Sequence, residues 1–186
     1  MNKPTLIVIT GRPASGKTTL AHQLGKEIKY PLISRDELKE GYINTVNVSH
    51  NQSGDSSAAH IYEVFFHVIE FLILKGISVI AEAAFQDKLW KPKLLNLLPD
   101  AEIKVIICEI NPELARLRFK NRLENEPDRI KFHGDHLLEE NSSLLTMDYK
   151  PLTMNVPTLG VDTTDGYKPE IEEIIKFIKS ERASAK

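Results

Sequence analysis

Apolar and polar positions follow two rhythms along this chain. Thr5-Leu6-Ile7-Val8-Ile9-Thr10 is apolar without a polar alternate, as expected of a strand covered on both faces of a parallel sheet. Ile77-Ser78-Val79-Ile80-Ala81 and Ile103-Lys104-Val105-Ile106-Ile107-Cys108 read the same way, and Pro31 to Ile33 and Thr158 to Val161 are weaker strand candidates. Helical spacing fills the intervals. Thr18 to Ile28 follows the first strand, and Ser57 to Lys75 carries Ile61, Val64, Phe65, Val68, Ile69 and Leu72 before a stop at Gly76. Asn111 and Pro112 read as an N-cap followed by proline at the first helical position, opening a helix toward Glu124. Lys168 to Ser180 puts Ile171, Ile174, Ile175 and Ile178 on one face. Strands alternating with helices predict an α/β fold, a five-stranded parallel sheet with helices on both faces, built from right-handed crossovers. Two polar stretches interrupt the rhythm: Asn44 to Ser57, read as a loop, and the charged Asn125 to Asp135, where a helical lid (about 125–136) is expected.

Composition narrows this little. The chain has 186 residues with an apolar fraction of 41%, which fits one globular domain over 1–186. At this length roughly 70% of the unfolded surface can be buried, so no disulfide or metal staple is needed. A single cysteine excludes an internal disulfide framework and a clustered cysteine zinc site. Lysine plus arginine total 24 against 26 acidic residues, a net charge of −2 that argues against bulk attraction to nucleic acid or membrane. The apolar run Leu6 to Ile9 is too short for a signal peptide, and Phe71 to Leu74 is short of a membrane span, so a cytoplasmic protein with no membrane partner is expected.

The sharpest chemical signal is Gly11-Arg12-Pro13-Ala14-Ser15-Gly16-Lys17-Thr18, a full match to G-x-x-x-x-G-K-[ST]. It lies between a buried strand and an amphipathic helix, where glycines let successive N–H groups curl into an anion nest at a helix N-terminus. Gly11, Pro13, Ala14, Ser15, Gly16, Lys17, Thr18 and Thr19 are therefore the expected nucleotide-binding residues, Lys17 reaching the β- and γ-phosphates and the Thr18 hydroxyl serving Mg²⁺. A helix-capping glycine turn is the plainer alternative.

A phosphate loop does not name a reaction. No Asn-Lys-x-Asp segment for reading guanine is present, and a transporter ATPase would need a second signature motif. A small kinase remains, which needs a carboxylate near the acceptor hydroxyl and cations over the transferred group. Asp36, just after the second strand, falls at the sheet edge where ligands bind, although Ser34 and Glu37 also fit a capping box that Asp36 would merely support through the helix dipole. Arg118 and Arg122 share a helix face with Arg116 nearby, and Arg129 and Lys131 continue the charge, either toward a phosphate or as a solvated face paired with Glu113 and Glu124.

Together the phosphate loop, Ser34-Arg35-Asp36, the strand ending at Glu82 and Arg118-x-x-x-Arg122 resemble the small P-loop kinases, in the branch of polynucleotide 5′-kinases, zeta toxins and chloramphenicol phosphotransferases. The resemblance runs from Leu6 to about Ile178 and implies ATP and Mg²⁺ as cofactors. It implies Asp36 as the acceptor of the substrate hydroxyl proton, Lys17 and Thr18 as phosphate and magnesium ligands, and Arg118 and Arg122 as catalytic lid arginines near ATP. Arg35, Lys39 and Glu82 fall on the acceptor side. Lys39 stands where the polynucleotide kinases carry an arginine, and Glu82 where aspartate is common; both departures count against a nucleic-acid substrate. A small-molecule acceptor is thus the first expectation, with a nucleotide or polynucleotide 5′-hydroxyl kinase and a non-catalytic ATP-binding switch as alternatives. Cys108 and Trp90 are expected in the core, Asp162 as a strand-end cap, Tyr42 beside the acceptor pocket, and His133 and His136 in the lid.

Overall fold

The computed structural model describes residues 3–46, 57–85, 87–126, 132 and 150–180. Five strands form one sheet: β1 (Thr5–Gly11), β2 (Leu32–Ser34), β3 (Val79–Glu82), β4 (Glu102–Glu109) and β5 (Thr158–Asp162). Their order is β2-β3-β1-β4-β5 and every pairing is parallel. The helices described in full are α1 (Lys17–Ile28), α2 (Arg35–Val46), α3 (Ser57–Leu74), α4 (Asp87–Leu97), α5 (Pro112–Asn125) and α6 (Ile171–Lys179). The predicted α/β architecture is the one observed: the chain passes from β1 to the edge strand β2, returns to β3 beside β1, and crosses β1 to β4 and β5.

Strand β1 shows why its sequence is apolar throughout. Leu6 and Val8 enter a core formed with α3 and α4, whereas Ile7 and Ile9 enter a second core formed with α1 and α6. Both faces of the strand are dry, so alternation has nothing to encode. Trp90 lies in the first core against Phe65, Phe66 and Phe85, with ring centroids 4.9–5.7 Å apart, and is a packing residue as expected. Cys108 is buried too, and burial pushes its thiol up to about 12, which keeps it unreactive.

Several boundaries differ from the sequence reading. Residues 87–97 form α4, with Pro92 inside it, a helix that the sequence reading does not include. The overlooked signal is Trp90, Leu94 and Leu97, all buried at helical spacing. Helix α3 is long and apolar enough by composition to cross a membrane, with a mean hydropathy of 1.4, which no shorter run in the sequence suggests. Here one face of it is buried, with Phe65, Phe66, Ile69 and Ile73 in the core flanking the sheet and Ile61 covered as well. The predicted loop from Asn44 to Ser57 is trimmed at both ends, since α2 runs to Val46 and α3 starts at Ser57, and 47–56 lie outside the described residues. The expected lid also falls almost wholly outside them, with Arg129, Lys131, His133, Asp135 and His136.

One charge inside the sheet has a structural task. Lys104 on β4 is buried, and its ammonium donates to the carbonyls of Phe177 (3.2 Å), Ile178 (2.8 Å) and Ser180. These are carbonyls left over at the C-terminal end of α6, where a cation also meets the negative end of the helix dipole. Lys104 thereby ties the last helix to the sheet.

Candidate active site

Register brings the strand ends level along one edge. Ile9 of β1 pairs with Glu82 of β3, which in turn pairs with Ser34 of β2, and Gly11 pairs with Cys108 of β4. The phosphate loop, Asp36 and Glu82 therefore emerge on the same side of the sheet, outside the carboxyl ends of its strands.

The loop is shaped by close approach. Gly11 has φ +152°, and a Cβ there would lie 2.5 Å from both the Cys108 carbonyl oxygen and Ser15 Oγ. Gly16 has φ +78°, and it precedes the first turn of α1 with no side-chain cap. The helix thus begins with its first N–H groups uncovered by any cap, at the positive end of its dipole. Lys17 folds over the loop, its ammonium 3.1 Å from the Arg12 carbonyl, which also receives the Ser15 N–H at 3.2 Å. Ser15 Oγ is buried with no hydrogen-bond partner among the described residues. A cradle of amides, a lysine and an orphaned hydroxyl at a helix start fits a polyphosphate.

Glu82 ends β3 between the loop after β1 and the start of α2. It is 2% exposed and accepts a 2.8 Å hydrogen bond from Ser34 Oγ. Burial raises its carboxyl above the ordinary value, the Lys17 ammonium opposes that rise, the Asp36 and Glu37 charges add to it, and the Ser34 bond lowers it. Ser34 is therefore engaged across the sheet, and Glu37 instead pairs with His22 on α1 at 2.5 Å, so neither arm of a capping box is observed. Asp36, in the first turn of α2, is half-exposed and receives Arg35 Nη1 at 3.2 Å. Lys39 is buried on the same helix. Tyr42 sits further along, its ring 4.9 Å from that of His60.

Glu82 has a testable consequence. An unfolded chain releases this proton near the ordinary value of 4.5, before the folded chain does. The folded state then holds the extra proton, so stability falls as pH rises through that window and stays lower above it. Glu82→Gln removes the buried charge and still offers Ser34 an acceptor. Its Tm should exceed that of the parent at neutral pH, by about 2–4 °C per kcal/mol recovered, with the gap closing toward pH 4. A variant less stable than the parent at every pH would contradict this.

On the opposite flank, Asn111 caps α5 through its side chain, accepting from the Glu113 N–H at 2.8 Å, with Pro112 at the first helical position as the sequence implies. Arg122 lies over the Phe119 ring, 5.5 Å from its centroid. Arg118 reaches the loop after β5, where Nη1 donates to the Thr163 carbonyl at 3.0 Å and Nη2 to that of Thr164 at 2.8 Å. The sequence gives no sign of this, because the partner loop follows β5, 45 residues away. Asp162 accepts the Thr164 N–H at 2.8 Å and so caps its own turn, as expected.

For Mg²⁺, the donors at hand are hard oxygens: the Thr18 hydroxyl, exposed at the start of α1, and the Glu82 carboxylate. No cluster of three His, Cys, Asp or Glu side chains occurs among the described residues. An ion held chiefly by phosphate oxygens needs no such cage, so the residues fit it.

The sequence family described as AAA domain matches residues 6–144. No curated protein matches the chain. Among solved structures, a candidate kinase from Chloroflexus aurantiacus is 25% identical with a TM-score of 0.79, covering 96% of this chain and 98% of its own. A Sinorhizobium meliloti gluconokinase is 16% identical with a TM-score of 0.59 over 96% of this chain and 93% of its own. The Mycobacterium tuberculosis APS kinase, solved with AMPPNP and APS, is 15% identical with a TM-score of 0.65 over 97% of this chain and 100% of its own. The last two share the fold.

Proposed function

We propose, from the premise that this chain belongs to the AAA domain family and is a small P-loop kinase by its fold, that it transfers the γ-phosphate of ATP to a hydroxyl of a small molecule. The observation that carries this reading is the shared rim: a phosphate nest closed by Lys17 stands beside Asp36 and Glu82 at the ends of β2 and β3. The loop amides and Lys17 hold the triphosphate, with Pro13, Ala14 and Thr19 shaping or flanking that cradle. Asp36 accepts the acceptor's hydroxyl proton. The freed oxygen bonds to the γ-phosphorus as the bond from that phosphorus to the β–γ bridging oxygen breaks, and ADP leaves. Thr18 and Glu82 would hold Mg²⁺, whose charge offsets that of the phosphate oxygens when bound. Arg122 is the cation of α5 that we assign to the transferred group, since Arg118 is committed elsewhere. Arg35 and Lys39 stand on the acceptor side. Positioning rather than covalent chemistry carries most of the rate.

The test is a transfer screen with γ-labelled ATP over sugars, nucleosides, antibiotics and 5′-hydroxyl oligonucleotides. Label should appear in a small-molecule alcohol. Incorporation mainly into oligonucleotide replaces this reading with a polynucleotide kinase, and no incorporation into any acceptor leaves an ATP-binding switch.

A further inference from the structure

The nest depends on which way its peptide units face. A trans peptide is planar, so the Ser15 carbonyl and the Gly16 N–H point in opposite directions from one plane. Anchoring the carbonyl outside the loop therefore aims the amide the other way. Glycine at φ +78° does little to resist a flip of that plane, so an outside anchor is needed.

Thr163 supplies it. This residue, just past β5, is 5% exposed, and its hydroxyl lies 2.8 Å from the Ser15 carbonyl oxygen and 3.0 Å from that of Glu109. A hydroxyl has one proton to give. The Ser15 oxygen is the nearer of the two acceptors, and the Glu109 carbonyl is already supplied by the Thr163 N–H at 2.9 Å, so the hydroxyl proton is assigned to Ser15. Thr163 also packs at the loop itself, since a Cβ on Gly16 would lie 3.8 Å from its Cβ. Thr163 is in turn gripped from α5, where the Arg118 fork spans two successive carbonyls, those of Thr163 and Thr164. A chain of direct contacts thus runs from α5 through the loop after β5 to the Ser15–Gly16 peptide.

We propose that Thr163 is a positioning residue for nucleotide binding, fixing the Ser15–Gly16 peptide with its amide toward the phosphates, and that Arg118 acts through Thr163 rather than on the transferred group. This rests on the nucleotide-binding reading of the loop. Removal of the hydroxyl leaves a carbonyl without its partner and a peptide free to turn, so the loss should fall on nucleotide affinity.

The experiment measures Kd for a non-hydrolysable ATP analogue with Mg²⁺, and Tm in parallel, in the full chain. Thr163→Val should raise Kd about tenfold, the order expected for one lost buried hydrogen bond, and Thr163→Ser should restore affinity. Arg118→Met should raise Kd less, and the double variant should fall short of the summed effects because both act on one contact. Should Thr163→Val fail to fold, Thr163→Ser and Arg118→Met carry the test, with Thr163→Ser at parental affinity and Arg118→Met weakened. A lower Tm with unchanged Kd would mark Thr163 as structural only and overturn the proposal. A loss of kcat in Arg118→Met with Kd unmoved would overturn the role given to Arg118. A parent chain that binds no analogue overturns the nucleotide reading itself.

Discussion

Asp36→Asn should lower phosphoryl transfer roughly 10³-fold, the range expected for loss of a positioned general base, while leaving ATP affinity near that of the parent. That fall corresponds to about 4 kcal/mol in the barrier. The side chain keeps its shape, and an amide oxygen still accepts from Arg35 Nη1, now at 3.2 Å from Asp36 Oδ1. What disappears is the basic oxygen. Asp36 opens α2 on the acceptor side of Glu82, whereas the nest lies at the end of β1, so a nucleotide titration should be nearly unchanged. Stability also separates the explanations. The Asp36 charge adds to the rise at Glu82, so its removal lets Glu82 ionise more readily and should not lower Tm at neutral pH. Inactivity with intact ATP binding and an undiminished Tm is the expected pattern. Transfer within a few-fold of the parent would remove Asp36 from the mechanism.

What the sequence discloses follows the range of the interactions involved. The phosphate loop, the five strands and the Asn111–Pro112 helix start are local: each is set by residues within a few positions of one another, through backbone sterics, burial on both faces and capping. Helix α4 is local as well, but Pro92 inside it imitates a loop, and only the burial of Trp90, Leu94 and Leu97 restores the pattern. Side-chain commitments over long separations are different. Ser34 looks like a cap until the sheet sets Glu82 beside it, 48 residues on. Arg118 shows in the sequence only as a cation on α5, and the loop after β5 supplies the two carbonyls that its fork meets. Lys104 looks like an interruption in an apolar strand until the end of α6 arrives above it. In each case the residue type announces a polar appetite, and only the topology decides what meets it.

Lys17→Met should reduce kcat/KM by roughly 10³-fold or more, since it removes a charged donor from the place where phosphate charge accumulates. Unlike Asp36→Asn, it should weaken triphosphate binding and transfer together. The loop itself has a second tie, because the Ser15 N–H also donates to the Arg12 carbonyl that Lys17 holds. Methionine keeps most of the volume of a side chain that is 9% exposed, so the packing around it is retained. The informative change lies in the pH dependence. The Lys17 ammonium is the charge that opposes the upward shift of Glu82. Without it the carboxyl rises further, and the fall in stability with rising pH extends to higher pH and grows larger. Adding Glu82→Gln to Lys17→Met should flatten that profile and recover Tm without recovering transfer. If the flattening fails, Glu82 is not the group whose titration shapes that profile. If Lys17→Met still transfers phosphate within tenfold of the parent, the nest is not holding the triphosphate. The two outcomes are independent, because one reads the buried charge of Glu82 and the other reads the ligand that the loop is arranged to meet.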